Sequence, residues 1–585
     1  MSSRLQYVSR VLESIVSAYP YVLLGLDLRG RVVYQTTEGG FSSIWALDSD
    51  GSKKKLTEKP ILWTAEVSES RDRVVFTRDI AGGRELQLLG YIDLHNDNEV
   101  VFENMEPMRI FSIVNESSRI VFTGATERGM GLYMIKSGSI EKILDLKTIT
   151  FATDVRYDLI VGSGNLRGDP RSSEIFIYDL STNQMKIYTP REGSSNNVPI
   201  ILEDKKILFQ TNALDPDRFV LATLDPYTSE FRLVEFPYRD YENFKPVENV
   251  FYKEFDRKIL VIGKKEGRSR IFIDGREINT PRGIILNADL FQEKVYFTYT
   301  NILKPARIMV AENSGYREII GSRLPEDIES MMGDIEFRYI ESLDGLKIPL
   351  FVIRSRGHDM TKSAVVYIHG GPWSEVADSW SVLIASLVAS GFNVIAPNFR
   401  GSTGYGESFR RLDIGDPGGG DLLDIEAAAR FALENKLGER LFVMGYSYGG
   451  YMTLWTMFNK PDLFDCGVAG AAVADWEEMY EISDALFKQF IEVLFDKRKD
   501  LLRERSPINK AENLKKPLCI IQPQNDTRTP LKPIMRLLNK LMESGKTFEA
   551  HIVPDMGHVM NTIDNAIKIV LPAILFLYRC VDKRT

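Results

Sequence analysis

The sequence predicts two fold classes in one chain: an all-β propeller of seven blades, then a doubly wound α/β domain with a mostly parallel sheet. Three observations carry this. Residues 22–323 contain short β-rich runs that recur at nearly constant spacing. From residue 324 onward, apolar runs alternate with helical patterns. Within that second part, Gly445, Ser447 and Gly449 form a G-x-S-x-G between an apolar run and a helical one.

The bulk properties set the frame. A chain of 585 residues exceeds what one ordinary core supports. It is 44% hydrophobic and 26% charged, as globular domains are. A net charge of −8, without a long basic run, argues against a nucleic-acid partner. Cys466, Cys519 and Cys580 lie far apart and show no paired metal-ligand spacing, so neither a metal nor another cofactor is expected. Cys466 and Cys519 fall in strand-like runs, which predicts buried thiols and a reducing, cytoplasmic setting.

The first 21 residues are set apart. Leu5, Val8, Val11, Leu12, Ile15 and Val16 recur at helical spacing, with Arg4, Arg10 and Glu13 between them. That describes an amphipathic helix rather than the apolar core of a signal peptide. The apolar stretch at 569–577 is too short to span a bilayer, so no membrane partner is expected.

The propeller rests on a repeat. Its leading runs begin at Val32, Val74, Ile120, Leu159, Ile207, Ile259 and Val295, which by subtraction are 42, 46, 39, 48, 52 and 36 residues apart. A second run follows each of them, beginning with Ile44, Leu86, Leu132, Ile175, Phe219, Arg270 and Arg307, and turn residues follow in their turn. Seven such units of 40–50 residues match four-stranded propeller blades. The segment holds no nucleophile motif, so its expected role is gating or binding.

In the second part, strands are expected at 348–353, 364–368, 392–396, 441–444, 467–473, 518–521 and 548–553. Ser447 follows a central strand. Asp526 comes 79 residues later, in the loop after the next-to-last strand, and His558 follows after another 32, in the loop after the last strand. Ser, Asp, His is the chain order of an α/β-hydrolase triad, and strand carboxyl ends are where such sheets place their sites. The chemistry asks for these residue types. An imidazole must take the serine proton, and a buried carboxylate must fix the tautomer of that imidazole. His551 is the rival base but sits inside a strand pattern, and Asp555 is the rival acid but is only three residues from His558.

His369, Gly370, Gly371 and Pro372 follow the strand ending at Ile368. The backbone N–H of Gly371, with that of Tyr448 just after the nucleophile, is the expected oxyanion hole.

These motifs resemble the prolyl oligopeptidase family of serine peptidases, and within it the archaeal acylaminoacyl-peptidase (acylpeptide hydrolase) branch. The stretches that carry the resemblance are 369–372, 398–406, 445–453, 475–480, 506–509, 524–530 and 555–558. It implies a propeller that caps the site and excludes folded proteins, and an N-terminal helix on the hydrolase domain. The domains would be 1–21, 22–323 and 324–585. The implied activity is release of an N-acylated amino acid from short peptides through an acyl-enzyme on Ser447. Carboxylesterase or oligopeptidase activity by the same triad is the alternative, and a homodimer or higher homo-oligomer is expected. By the resemblance, Arg528 would hold a substrate carbonyl, and Trp476, Phe487 and Phe490 would line an apolar S1 pocket. No pair of propeller glutamates stands out to hold a free substrate amine, which favours a blocked N-terminus.

Overall fold

Each run that sets the repeat is a strand second from the propeller axis, buried on both faces. Val33, Phe76, Phe122, Val161, Phe209, Val261 and Phe297, one in each of the seven runs, are fully buried. The computed structural model describes residues 2–116, 119–136, 138–312 and 315–582, so residue 1 and residues 583–585 of the two outer expected domains lie outside the described residues.

Six blades are four-stranded antiparallel sheets whose strands follow chain order across the sheet, and one sheet, Arg73–Asp79 with Gln87–Asp93 and Asn98–Val101, has three strands. Residues 62–65 take the missing inner place of that blade. The Leu62 and Ala65 N–H groups donate to Thr77 and Val75, and Thr77 N–H donates back to Trp63. Pro60 and the short ladder keep this stretch from reading as a strand.

Among the described residues no strand is shared between the first and last blades, since Tyr21–Leu26 to Lys53–Lys55 form one sheet and Ile284–Phe291 to Gly315–Ile320 another. Side chains close the ring instead. Asp289 Oδ2 accepts from Leu26 N at 2.8 Å and from Arg71 at 2.7 Å, and Arg71 also donates to the Leu26 and Leu290 carbonyls, both at 2.8 Å. Thr298 and Asn287 make a second tie to the backbone of Leu23.

A first helix, α1 (Ser2–Val16), precedes the propeller. The hydrolase sheet has eight strands: β1 (Met332–Glu341), β2 (Lys347–Ser355), β3 (Ser363–Ile368), β4 (Asn393–Pro397), β5 (Arg440–Tyr446), β6 (Cys466–Gly470), β7 (Leu518–Pro523) and β8 (Phe548–Val553). Their order is β1-β2-β4-β3-β5-β6-β7-β8, with β2 antiparallel to its neighbours and the others parallel. Around it lie α2 (Val382–Ala389), α3 (Gly420–Glu434), α4 (Tyr448–Asn459), α5 (Trp476–Ile482), α6 (Ala485–Leu494), α7 (Leu531–Glu543) and α8 (Ile563–Asp582).

Two differences from the expected strands have physical causes. β1 was not expected, because it is an edge strand, half exposed, without a continuous apolar run. β6 ends at Gly470 rather than Val473, because Ala471 turns to φ 44° and the Gly470 carbonyl accepts from Ser447 N.

The apolar stripe of α1 is buried. Val8, Val11, Leu12 and Ile15 share one core with Leu387 and Val388 of α2 and Ile574 and Leu577 of α8, each side chain contributing roughly 1.5–3 kcal/mol of burial. The side chain of Leu5 lies outside the described residues. Among the described residues no helix is long and apolar enough to cross a membrane.

Replacing Asp289 with Ala strips Arg71 and the Leu26 N–H of their partner at the blade junction. The expected cost is about 3 kcal/mol, the size seen when one member of a buried pair is removed, read as a lower denaturation midpoint with α/β-domain packing unchanged.

Candidate active site

β5 delivers Ser447 at a turn that only close-packed glycines allow. Ser447 is at φ 61° and ψ −123°, and α4 begins at the next residue. A side chain on Gly445 would overlap the Gly449 backbone, and one on Gly449 would overlap the Ile368 carbonyl. The elbow is pinned by Ser447 N–H to Gly470 O at 3.0 Å and Tyr451 N–H to Ser447 O at 2.9 Å.

β7 and β8 bring the other two members. His558 Nε2 lies 3.0 Å from Ser447 Oγ, and His558 Nδ1 lies 2.7 Å from Asp526 Oδ2. Asp526 also accepts from Arg528 N and Thr529 N, both at 2.9 Å, and from Thr529 Oγ1 at 2.7 Å. Burial alone would push the Asp526 carboxyl up, but His558 beside it and the hydrogen bonds from His558 and Thr529 hold it below the usual carboxylate range. The acid loop leans on the base loop through Gln524 N–H to Val553 O and Asn525 N–H to Met556 O, both at 2.8 Å. Tyr446 Oη donates to the His558 carbonyl at 2.8 Å. Asp555 is exposed, and His551 bonds Glu549 rather than the site.

The glycine turn after β3 lies against the nucleophile. A Cβ on Gly370 would stand 3.3 Å from Ser447 Cβ. Gly371 is at φ 123° and its bond to Pro372 is cis. Among the described residues neither the Gly371 nor the Tyr448 N–H donates within the protein, and Tyr448, at the start of α4, has no intrahelical acceptor. His369 braces this turn. Its ring stacks on Phe399 at 4.3 Å, with Nδ1 2.7 Å from Gly370 O and Nε2 2.8 Å from Ser402 Oγ. Burial pushes the imidazole down to about 4, against the pull of the Gly370 carbonyl. A neutral ring facing a carbonyl carries its one proton on Nδ1, while the Ser402 hydroxyl beside Nε2 donates to Phe399 O at 2.6 Å.

Arg528 is held in a fork. Its Nε and Nη2 donate to Glu85 of the propeller at 2.6 and 2.9 Å. Arg109, also from the propeller, donates to the same carboxylate at 2.6 Å, to Asp484 at 2.6 Å and to Thr527 at 2.7 Å. Burial opposes ionisation of Glu85, but Arg528 and Arg109 overcome it and hold the carboxyl below its usual range. Sequence reasoning missed Glu85 and Arg109. Glu85 sits in a loop of the three-stranded blade and Arg109 on the first strand of the next, and their hydrolase-domain partners are several hundred residues away.

Phe487, with Arg109 5.0 Å and Arg528 6.0 Å over its ring, lines a cavity of about 370 Å³ between the domains. Phe490 meets Trp373 edge-on at 5.5 Å. Trp476 does not line that cavity. It is 1% exposed and packs among Tyr448, Tyr451 and Phe495, because its position at the start of α5 turns it into the core. The expected wall of three aromatics is thus represented in this cavity by Phe487.

The propeller presses directly on the base loop. A side chain on Gly83 would overlap the Gly557 backbone, and one on Gly557 would overlap Gly83. Asn525 Nδ2 donates to Gly82 O at 2.7 Å across the same contact.

His369 makes stability depend on pH. Its folded value near 4 lies below the ordinary 6.5, so the unfolded chain binds the extra proton and stability falls as pH drops from about 6.5 to about 4, by about 3 kcal/mol in total. Denaturant titrations of His369→Asn at pH 7 and pH 4 are expected to show a drop smaller by about that amount than in the native protein.

Two family models match the chain. Residues 32–309 match "Acylamino-acid-releasing enzyme-like, N-terminal domain" and residues 379–584 match "Prolyl oligopeptidase family". Among curated relatives, dipeptidyl aminopeptidase BIII of Pseudoxanthomonas mexicana is 30% identical over 33% of this chain and 30% of its own length. Acylamino-acid-releasing enzyme 1 of Oryza sativa subsp. japonica is 26% identical over 37% of this chain and 30% of its own length. The chain therefore matches about a third of the length of these relatives. The solved acylaminoacyl peptidase of Pyrococcus horikoshii shares the fold at TM-score 0.71 and 18% identity, over 98% of both chains. Residues 379–584 thus belong to the prolyl oligopeptidase family, and residues 32–309 to the N-terminal domain of the acylamino-acid-releasing enzyme-like kind.

Proposed function

We propose that this chain is an acylaminoacyl-peptidase, which removes an N-acylated amino acid from short peptides through an acyl-enzyme on Ser447. The observation that carries this is the continuous hydrogen-bonded line from Ser447 Oγ through His558 to Asp526. His558 Nε2 takes the serine proton as Oγ attacks the scissile carbonyl. Asp526 holds Nδ1–H and stabilises the imidazolium that forms. The carbonyl oxygen, now an anion, takes the free N–H groups of Gly371 and Tyr448, each such donor being worth roughly 3–4 kcal/mol in the transition state. His558 then passes its proton to the leaving amine. Water, activated by the same imidazole, releases the acylated residue.

Preference for a blocked N-terminus is supported by the charge at the cavity. Glu85 is the one carboxylate among the residues lining it, and two guanidinium groups already neutralise it. A substrate ammonium would find no uncompensated anion there, whereas Trp63, Ile110, Phe111 and Phe487 offer apolar walls to an acyl group or side chain. Among the described residues Arg528 Nη1 has no hydrogen-bond partner beside the fork to Glu85, and it is the donor we assign to a substrate backbone carbonyl. The propeller that seats Glu85 and Gly83 against the triad loops is the element that limits substrates to short peptides. Three buried free thiols suit a reducing compartment such as the cytoplasm.

Ser447→Ala is expected to lower kcat by at least about 10⁴-fold, and a fluorophosphonate should label the native protein at Ser447 and fail to label the variant. Near-full activity in the variant would refute the triad.

The acyl preference is tested with one short peptide in acetylated, formylated and free-amine forms. An acylated form should be favoured in kcat/KM by at least about tenfold, or about 1.4 kcal/mol. Equal turnover of the free amine would remove the acylaminoacyl assignment, and a short-chain ester turned over far better than any peptide would make the enzyme a carboxylesterase.

A further inference from the structure

Cys519, Glu549 and His551 have no metal-binding spacing in the sequence, yet the sheet brings them together. β7 and β8 pair in parallel with Cys519 beside Glu549, and His551 stands two residues further along the same face of β8. The thiol sulfur, a carboxylate oxygen and an imidazole nitrogen all lie within 4.8 Å of one another. Glu549 Oε1 meets His551 Nε2 at 2.5 Å, and its other oxygen is bonded to Arg579 of α8. Cys519 is buried, while the side chains of Glu549 and His551 are 31% and 37% exposed, so the triangle has a closed base and an open mouth.

We propose that Cys519, Glu549 and His551 bind a divalent cation of the zinc class, with water in the fourth position. One thiolate, one imidazole and one carboxylate make a borderline-soft donor set, and three protein ligands with a solvent ligand is a familiar zinc arrangement. Zinc–ligand bonds of roughly 2.0–2.3 Å set tetrahedral ligand atoms about 3.3–3.8 Å apart. Small side-chain rotations close the triangle to that size and open the contact between Glu549 and His551 for the ion. Arg579 is already in the outer shell, orienting the carboxylate from its far oxygen. As the metal–sulfur bond forms, the Cys519 S–H bond breaks and its proton goes to solvent, with no change in oxidation state.

The site stands apart from the chemistry. Cys519 precedes Asp526 by seven residues, and His551 precedes His558 by seven, by subtraction. A cation there fastens the two strands that lead to the Asp526 and His558 loops, within the sheet rather than in those loops.

The test is a titration of the full-length protein, stripped with a chelator, with Co²⁺ followed by Zn²⁺. One equivalent of Co²⁺ should bind with a thiolate-to-cobalt charge-transfer band, be displaced by Zn²⁺, and leave no such band in Cys519→Ser. His551→Ala, at a partly exposed position that does not threaten folding, should weaken Co²⁺ binding by more than about tenfold and abolish any rise in Tm with Zn²⁺. The proposal is overturned if the native protein gives no thiolate band, if Cys519→Ser keeps it through Cys466 or Cys580, or if His551→Ala binds as tightly as the native protein.

Discussion

The backbone of Ser447 is the constraint on which the rest of the hydrolase domain depends. A non-glycine residue at φ 61° and ψ −123° stores roughly 1–3 kcal/mol. It persists because its neighbours permit nothing else. β5 lies between β3 and β6 in parallel register, so the turn at its end is held from both sides. The Gly470 carbonyl fixes one side of the peptide, and the first turn of α4 fixes the other. The same crowding that forbids side chains at Gly445 and Gly449 brings the turn after β3 onto the nucleophile. Strain and strand order are therefore one arrangement: packing the Gly370 turn against Ser447 also helps to hold Ser447 in its turn.

The propeller contributes a second set of restraints, on the acid and base rather than on the nucleophile. Glu85 and Arg109 reach out of their blades to Arg528, Thr527 and Asp484, and the Gly83 loop packs on Gly557, next to His558. Two guanidinium groups and two carboxylates make this cluster neutral in sum. Neutrality matters because the cluster is largely buried, and an unbalanced charge there would carry a desolvation cost of several kcal/mol. The domain interface and the charge lining the cavity between the domains are thus set largely by the same side chains. A change at any one alters both the seating of the propeller and the electrostatics of that cavity.

What the sequence made legible was local or strictly ordered along the chain. The elbow is one decapeptide, and the order Ser447, Asp526, His558 follows from how a parallel sheet is wound, so both could be read without a structure. Propeller blades could be counted because their second strands are buried on both faces and stay apolar in every repeat. What escaped depended on partners far away or on faces. Glu85 looks like any surface glutamate until Arg528, 443 residues on, folds against it. The edge strand β1 and the inner segment at residues 62–65 lack the two-sided burial that makes a strand visible. Trp476 follows an N-capping aspartate, whose side chain accepts from the N–H groups of Glu477 and Glu478. The helix start then turns the indole toward Tyr451, and no pattern of neighbouring letters specifies that.

The parallel pairing of β7 and β8 explains why two unrelated groups of side chains share one geometry. With Cys519 level with Glu549 and Pro523 level with Val553, residues equally far along the two strands stay side by side from one end to the other. At the carboxyl ends this register gives the acid and base loops a common level, from which Asp526 meets His558 at 2.7 Å. Further back along the strands it sets Cys519 against Glu549 and His551. A one-residue slip would send one strand's side chains to the opposite face and break both groups at once. Whatever fastens the lower pair therefore also fixes the register on which the upper pair depends, and the two groups are mechanically joined through the same two strands.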